Sequence, residues 1–417
     1  MRGKLPKGWE VLELDEIAFV QTGIAINGEP DRLNPVRLPY LRVANVQDGH
    51  IDLSEIKHIT VSGHQVARYA LQEGDVLMTE GGDFDKLGRG AVWRGQLAPC
   101  LHQNHVFAVR PDQTRIVSAF LAAYCESAAG KRYFLSCSKQ TTNLASINST
   151  QLKEMPVVVP PLPEQQLMVA ALDAWDEAID QTERLIAAKQ RRFDATRIRL
   201  IETFQSAGKD RNLWVPAEFG EIAEELKQRN AAGHGPDRVM GVIKGEGLVP
   251  MRSHVMAADL RRYLIVPSRA IAYNPMRLNI GSIAASRYDQ DVLVSPDYVV
   301  FRARKGRADP DFLRFLIGTK RWRDHLITVG SGSVRTRIYF DGLAEMVLRV
   351  PDIREQKRIG QILAAMEQDL STTIEAASAL RTQKRGLMQK LLTGEWRLNG
   401  RFDPVPAPHP LHAGDAV

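Results

Sequence analysis

LKEMPVVVPPLPEQQLMVAAL, residues 152–172, and LAEMVLRVPDIREQKRIGQIL, residues 343–363, are two versions of one passage. Leu152/Leu343, Glu154/Glu345, Met155/Met346, Val159/Val350, Pro160/Pro351, Glu164/Glu355, Gln165/Gln356 and Leu172/Leu363 pair at a constant offset of 191, without a gap. An upstream echo matches Trp9, Glu13, Glu16, Ile17 and Ala18 to Trp214, Glu218, Glu221, Ile222 and Ala223 at an offset of 205. The chain therefore reads as a tandem duplication, each copy a globular segment that runs into a helix. Such self-similarity is the feature to find first, because it sets how many folds the chain must explain.

Working outward from the repeat, residues 1–158 mix strand patterns (Leu38–Val46, Gly74–Met78, His105–Arg110, Met155–Val159) with glycine turns and one helical stretch, Ser118–Leu135. Residues 208–350 repeat this grammar, with strands near Leu264–Ile271 and Tyr298–Arg302 and a helix near Asp311–Ile327. After each globular part the period changes. Leu172, Ile179, Ile186, Phe193 and Leu200 recur every seven residues; Leu363, Met366, Leu370, Thr373, Ala377, Leu380, Leu387 and Leu391 follow heptad spacing, with Lys384 at one core position. Pro160, Pro161, Pro163 and Pro351 mark the starts, and Gly208 and Gly394 the stops. Helices of roughly 40–45 residues, about 60–65 Å, follow from the rise per residue.

The predicted fold is α+β: two similar globular domains, each followed by a long helix, the helices pairing as an antiparallel coiled coil. The boundaries are 1–158 for the first domain, 159–207 for the first helix, 208–350 for the second domain, 351–398 for the second helix, and 399–417 for a Pro- and Ala-rich tail expected to be disordered. The predicted seam is Leu172, Ile179, Ile186 and Phe193 against Leu370, Ala377, Leu380 and Leu387.

The net charge of +6 is unevenly spread: 0 over residues 1–158, −2 over 159–207, +7 over 208–350 and +1 over 351–417. A basic surplus on one domain suits a phosphate-binding surface. Cys100, Cys125 and Cys137 form no Cys-x-x-Cys pair, which argues against zinc or a disulfide framework and fits a reducing cytosol. No apolar run is long enough for a membrane span, and the N-terminus lacks a signal-type apolar core, so a cytoplasmic protein is expected.

No catalytic set emerges. The glycines at 81, 82, 88 and 90 are too few and in the wrong order for a phosphate loop. Asn274-Pro275-Met276-Arg277 lacks the aromatic residue that would stack on a flipped base. Pro351-Asp352 with Glu355-Gln356-Lys357 is too compressed for a nuclease carboxylate set and reads as a helix start. The histidines are scattered, so no metal is expected.

Two motifs carry a resemblance that covers about residues 5–398. They are Val159-Pro160-Pro161-Leu162-Pro163-Glu164-Gln165 and Lys390-Leu391-Leu392-Thr393-Gly394-Glu395-Trp396, supported by Leu5-Pro6-Lys7-Gly8-Trp9, Gly74-Asp75-Val76-Leu77-Met78 and Ser295-Pro296-Asp297-Tyr298. With them the chain resembles the specificity subunit (HsdS type) of type I restriction–modification systems. The second passage, Val350 to Gln356, departs by losing one proline. The resemblance implies a subunit that is not itself an enzyme. Two target recognition domains each read half of a bipartite site on double-stranded DNA, and the helices bind modification (methyltransferase) subunits that methylate adenine. S-adenosylmethionine is expected on those partners, with no cofactor on this chain, and a motor-nuclease restriction subunit completes the complex. The alternatives are a protein-binding scaffold, which the basic second domain disfavours, and a self-sufficient enzyme, which the missing motifs disfavour.

Base edges and phosphates are contacted by Arg, Lys, Asn, Gln, Ser and Thr. In the first domain the candidates are Lys86, Arg89, Gln103, Asn104 and the loop carrying Lys139, Gln140, Thr142 and Asn143. In the second they are Arg277, Asn279 and the loop carrying Ser331, Ser333, Arg335 and Arg337. The two loops occupy equivalent places in the duplication, after the domain helix and before the final strand.

Overall fold

The computed structural model describes residues 5–25, 35–82, 87–140, 145–205, 214–231, 233–252, 256–330 and 337–398. The predicted tail, 399–417, lies outside the described residues, as does Gly208. The chain forms two compact units, residues 1–181 with 377–417 and residues 182–376. Each unit thus holds one globular part and one portion of each long helix.

The first unit is built on an antiparallel sheet in the order Ala18–Thr22, Val106–Pro111, Val76–Thr79, Gly90–Val92. The second unit has the same order in Ala223–Leu226, Val299–Ala303, Ile271–Tyr273, Ile283–Ala285. Each unit also pairs its first strand with its last, Glu10–Glu13 with Pro156–Val159 and Val215–Glu218 with Val347–Val350. The likeness extends to single bonds. The Glu13 amide donates to the Glu16 carboxylate (2.7 Å) and Glu218 to Glu221 (3.0 Å), each satisfying a donor at the start of a short helix. Leu14 N donates to Met155 O and Phe219 N to Met346 O.

The slip between the two sequence offsets can be followed through the sheet. Ala18 and Ala223 are 205 apart; Leu77 and Ala272, which hold the same register positions, are 195 apart; Val109 and Phe301 are 192 apart. Most of the extra length of the first unit therefore precedes Leu77. It lies beside a hairpin of Pro35–Leu41 and Lys57–Ser62, followed by the helix Gly63–Tyr69. The second unit has a shorter hairpin here, Met240–Ile243 with Gly247–Pro250.

Four expectations need correction, the first being the strand predicted over Leu38–Val46, which runs Pro35–Leu41 and gives way to a 3-10 turn at Val43–Asn45. The helix predicted over Ser118–Leu135 is two, Ser118–Glu126 and Ala128–Cys137, and that over Asp311–Ile327 is also two, Pro310–Leu316 and Lys320–Gly330. A buried hydroxyl bridges each break: Ser127 Oγ donates to Tyr124 O and accepts from Gly130 N, and Thr319 Oγ1 donates to Leu316 O and accepts from Trp322 N, next to Gly318, left-handed at φ 87°. Such side chains offer the backbone a local alternative to the helix. The strand predicted over Leu264–Ile271 is likewise split, into Leu264–Val266 and Ile271–Tyr273. Pro267 lacks a donor, its carbonyl closes a turn onto Ala270 N, and Arg269 is left-handed at φ 63°.

The long helices are Leu162–Arg197, which continues through a π-type turn to Gln205, and Ile353–Leu392. Gly394, at φ 71°, closes the second. In the first unit Met168 and Leu172 share a core with Met388, Leu391 and Leu392, and Lys384 Nζ lies 2.6 Å from Asp176. In the second, Phe193 and Leu200 pack on the core that holds Ile359 and Leu363, and Lys189 Nζ is 2.7 Å from Asp369 and 2.9 Å from Thr373 Oγ1. Of the predicted seam, Leu172, Leu370 and Ala377 are buried. Ile179, Ile186, Phe193, Leu380 and Leu387 are only half-buried, where the predicted seam has them buried.

Candidate nucleic-acid interface

In the first unit the candidate loops hang on one short stretch, Thr79–Gly82. Gly81–Gly82 pairs with Ala145–Ser146, which pairs with Lys139–Gln140. A side chain at Gly81 would meet Ala145 O at 3.0 Å, so glycine is what lets the strands approach. Thr79 N donates to Arg89 O, Glu80 N to His105 O, and Ile147 N to Glu80 O. The sequence candidates from three separate places thus converge. Lys86, Thr142 and Asn143 lie outside the described residues, between segments that do converge.

Arg89 is engaged within the domain. Its Nη1 donates to Gln47 Oε1 (2.7 Å), its Nε lies 3.7 Å from Asp48, and only 19% of its side chain is exposed. Gln103 and Asn104 are half-buried on the turn before Val106–Pro111. Asn104 Nδ2 lies 3.3 Å from His105 Nε2, whose other nitrogen meets the Glu80 carboxylate at 2.5 Å.

In the second unit Ile338 N donates to Pro275 O, the counterpart of the Ile147–Glu80 bond. That bond brings Arg337 beside the turn that bears Arg277 and Asn279. Asn274 Oδ1 accepts from Met276 N (3.0 Å), so this asparagine is a turn former. Arg277, Asn279 and Arg337 are all exposed. Ser331, Ser333 and Arg335 lie outside the described residues.

Arg337 and Tyr339 line a cleft of about 400 Å³ with Asn274, Met276, Asp297, Tyr298, Lys227 and Arg229. Arg337 Nη1 donates to Tyr339 Oη (3.4 Å), and this contact holds the guanidinium above its usual pKa. Glu225, which pairs with Lys227 Nζ at 2.8 Å, shares this wall with Asp297. The Arg229 and Arg337 cations, the Asn274 amide and the exposed Tyr339 ring beside them can pair with phosphates and base edges. Sequence reading missed Lys227 and Arg229. Their signal was the basic stretch Lys227-Gln228-Arg229 at the end of the strand Ala223–Leu226, which only the sheet order brings next to Arg337.

Among the described residues no group of His, Cys, Asp and Glu is arranged to hold a metal ion, and no helix is long and apolar enough to cross a membrane. Cys100 and Cys125 are buried free thiols, and burial pushes each up to about 12. Asp352 Oδ1 accepts from Arg354 N and Glu355 N, so the nuclease-like carboxylates form a helix start.

Residues 6–189 match the family described as type I restriction modification DNA specificity domain. The chain is 22% identical over 424 aligned positions, covering 95% of both sequences, to a protein of Methanocaldococcus jannaschii assigned as the MjaX specificity subunit of a type I restriction enzyme. It is 26% identical to the EcoKI specificity subunit of Escherichia coli, over 45% of this chain and 42% of that one. Among solved structures, a chain of a type I restriction–modification system superposes with a TM-score of 0.57 at 18% identity, covering 94% of this chain and 100% of the other. That likeness is one of fold.

Proposed function

We propose that the chain is a specificity subunit of the type I restriction–modification kind, the subunit that reads a bipartite target on double-stranded DNA. The match of residues 6–189 to the specificity domain and the full-length likeness to the MjaX subunit support this. One observation carries this reading: two domains of the same sheet order, each hanging its candidate loops on the same strand end, through Ile147–Glu80 in one and Ile338–Pro275 in the other. A duplicated reader suits the pseudo-two-fold symmetry of a duplex. Arg277, Asn279 and Arg337, with Lys227 and Arg229, read or position the second half-site. Gln103, Asn104, the Lys139–Asn143 loop and the Lys86 loop serve the first, with Arg89 supporting them.

The long helices act as the spacer, paired antiparallel as a coiled coil. Asp176 with Lys384 and Lys189 with Asp369 support this pairing, since the partner number falls as the first rises. The helices also offer the surface for methyltransferase subunits, which bring S-adenosylmethionine and methylate adenine, and a motor-nuclease subunit joins them. The chain itself contributes recognition and no chemistry, and it works in the cytoplasm, where the DNA is.

Expression with its modification partner, followed by sequencing of methylated adenine, tests the reading. The expected motif has two short specified elements separated by unspecified base pairs. A continuous motif, or none that depends on this chain, would refute it.

A further inference from the structure

Gln165 and Gln356, paired by the duplication, are buried at 0% and 2% exposure. The Gln165 side-chain oxygen accepts from Val117 N (2.9 Å), and its nitrogen donates to Arg115 O (3.0 Å) and Pro160 O (2.7 Å). The Gln356 oxygen accepts from Asp309 N (3.0 Å), and its nitrogen donates to Arg307 O (3.2 Å) and Pro351 O (2.9 Å). Both amide donors are used in each copy, on equivalent partners. Val117 and Asp309 immediately precede the domain helices Ser118–Glu126 and Pro310–Leu316. Pro160 and Pro351 lie just ahead of the long helices. In each unit one side chain therefore joins the start of the domain helix to the start of the long helix.

Apolar burial also holds each domain to its helix, through Met168 and Leu172 in the first unit and Ile359 and Leu363 in the second. Such burial is non-directional and tolerates small rotations. Three hydrogen bonds to one planar carboxamide do not. We propose that Gln165 and Gln356 are positioning residues for target reading, each fixing the angle at which its domain sits on its long helix. Because successive base pairs are displaced along and around the duplex, with a full turn in 10–10.5 of them, that angle sets which gap between half-sites the two domains reach together. The inference rests on the bipartite reading above.

The test uses the full chain assembled with its modification partner. The probes are duplexes carrying the motif methylated by the wild type, with its native gap or one base pair more or fewer. Gln356→Glu places a carboxylate beside two carbonyls. Above its burial-raised pKa, it should lower the preference for the native gap by about tenfold, the equivalent of one buried unpaired group. As pH falls, the neutral acid regains one donor and one acceptor, and the gap preference should return toward that of the wild type. Gln356→Leu should show the same loosened gap without the pH dependence, and Gln165→Glu should repeat the result in the other unit. In every variant, single-base changes within either half-site should cost what they cost the wild type.

A merely structural role would weaken all duplexes alike and leave the gap ratio unmoved, which would overturn the proposal. So would loss of fold in both Gln356→Glu and Gln356→Leu, read by circular dichroism. A wild-type complex with no gap preference would refute the bipartite reading itself, and the positioning role with it.

Discussion

The two units share a frame and differ in what fills it. In the second unit Phe219 packs its ring 5.5 Å from Phe301, 5.5 Å from Trp322 and 6.0 Å from Phe340, and Trp214 stacks on Phe204 at 4.8 Å. The equivalents of Phe219, Phe301 and Trp322 in the first unit are Leu14, Val109 and Gly130, and its core is largely aliphatic. Yet the sheet order, the capped short helices, the hydroxyl-bridged helix breaks and the buried glutamines agree. Directional bonds on the backbone specify this fold, and side-chain volume need only sum correctly within it. Aromatic pairs add a geometric preference of about 0.5–1.5 kcal/mol each beyond their area, which the first unit lacks at these positions.

The largest effect expected from this contrast lies at Phe219. Phe219→Ala removes a ring from the centre of that cluster and should cost about 3–5 kcal/mol. The equivalent Leu14→Ala empties a smaller space and breaks no ring contact, so it should cost less. Equal losses in denaturant unfolding would mean that the aromatic cluster is ordinary packing and that the contrast between the cores has no energetic content.

A smaller effect separates the two reading surfaces. Arg337 is exposed beside the cleft, whereas Arg89 is tied to Gln47 and Asp48. Arg337→Ala should weaken DNA binding by about 1–3 kcal/mol if it reads a base. If it sits on phosphate, it should weaken all sequences alike and flatten the salt slope by about one unit. Arg89→Ala should act first on the stability of the first unit. Titrations of both variants across a salt series would reverse this assignment if Arg89 alone changed the salt slope.

The frame was legible in the sequence because duplication writes it twice: Met155/Met346 and Gln165/Gln356 needed only a constant offset. Charge and loop position brought Arg277 and Arg337 into view, and the structure joins them through Ile338 and Pro275. The break at Ser127 was not legible, since only the hydroxyl's local bonds decide it. That before Lys320 was legible in Gly318, left-handed at φ 87° just past the helix end. Lys227 and Arg229 escaped because their nearness to Arg337 depends on strand order, which the linear pattern does not carry. The half-burial of Ile186 and Leu380 escaped because heptad spacing gives the direction of a side chain and not the breadth of the surface facing it.

The smallest effect expected distinguishes the units by pH. His102, in the short strand Leu101–His102 of the first unit, is wholly buried. Its Nδ1 meets Val106 O at 2.8 Å, which makes that nitrogen the donor, and its Nε2 has no hydrogen-bond partner. Burial lowers its pKa, offset in part by the bond to Val106 O and by Asp75, which is itself paired with Arg110. The strand Val292–Val294 of the second unit has no titratable side chain. The folded first unit holds His102 below the usual histidine range, so below about pH 6.5 the unfolded chain binds more proton than the folded one. Its contribution is therefore complete above that pH and declines as pH falls through it, with a slope approaching about 1.4 kcal/mol per pH unit. Urea unfolding at pH 7.5 and 5.5, for wild type and His102→Gln, isolates this term, since glutamine keeps a donor for Val106 O and takes no proton. The difference between the two pH values should shrink in the variant. If it stayed the same, acid sensitivity would have to come from groups common to both units, and the pH contrast between them would disappear.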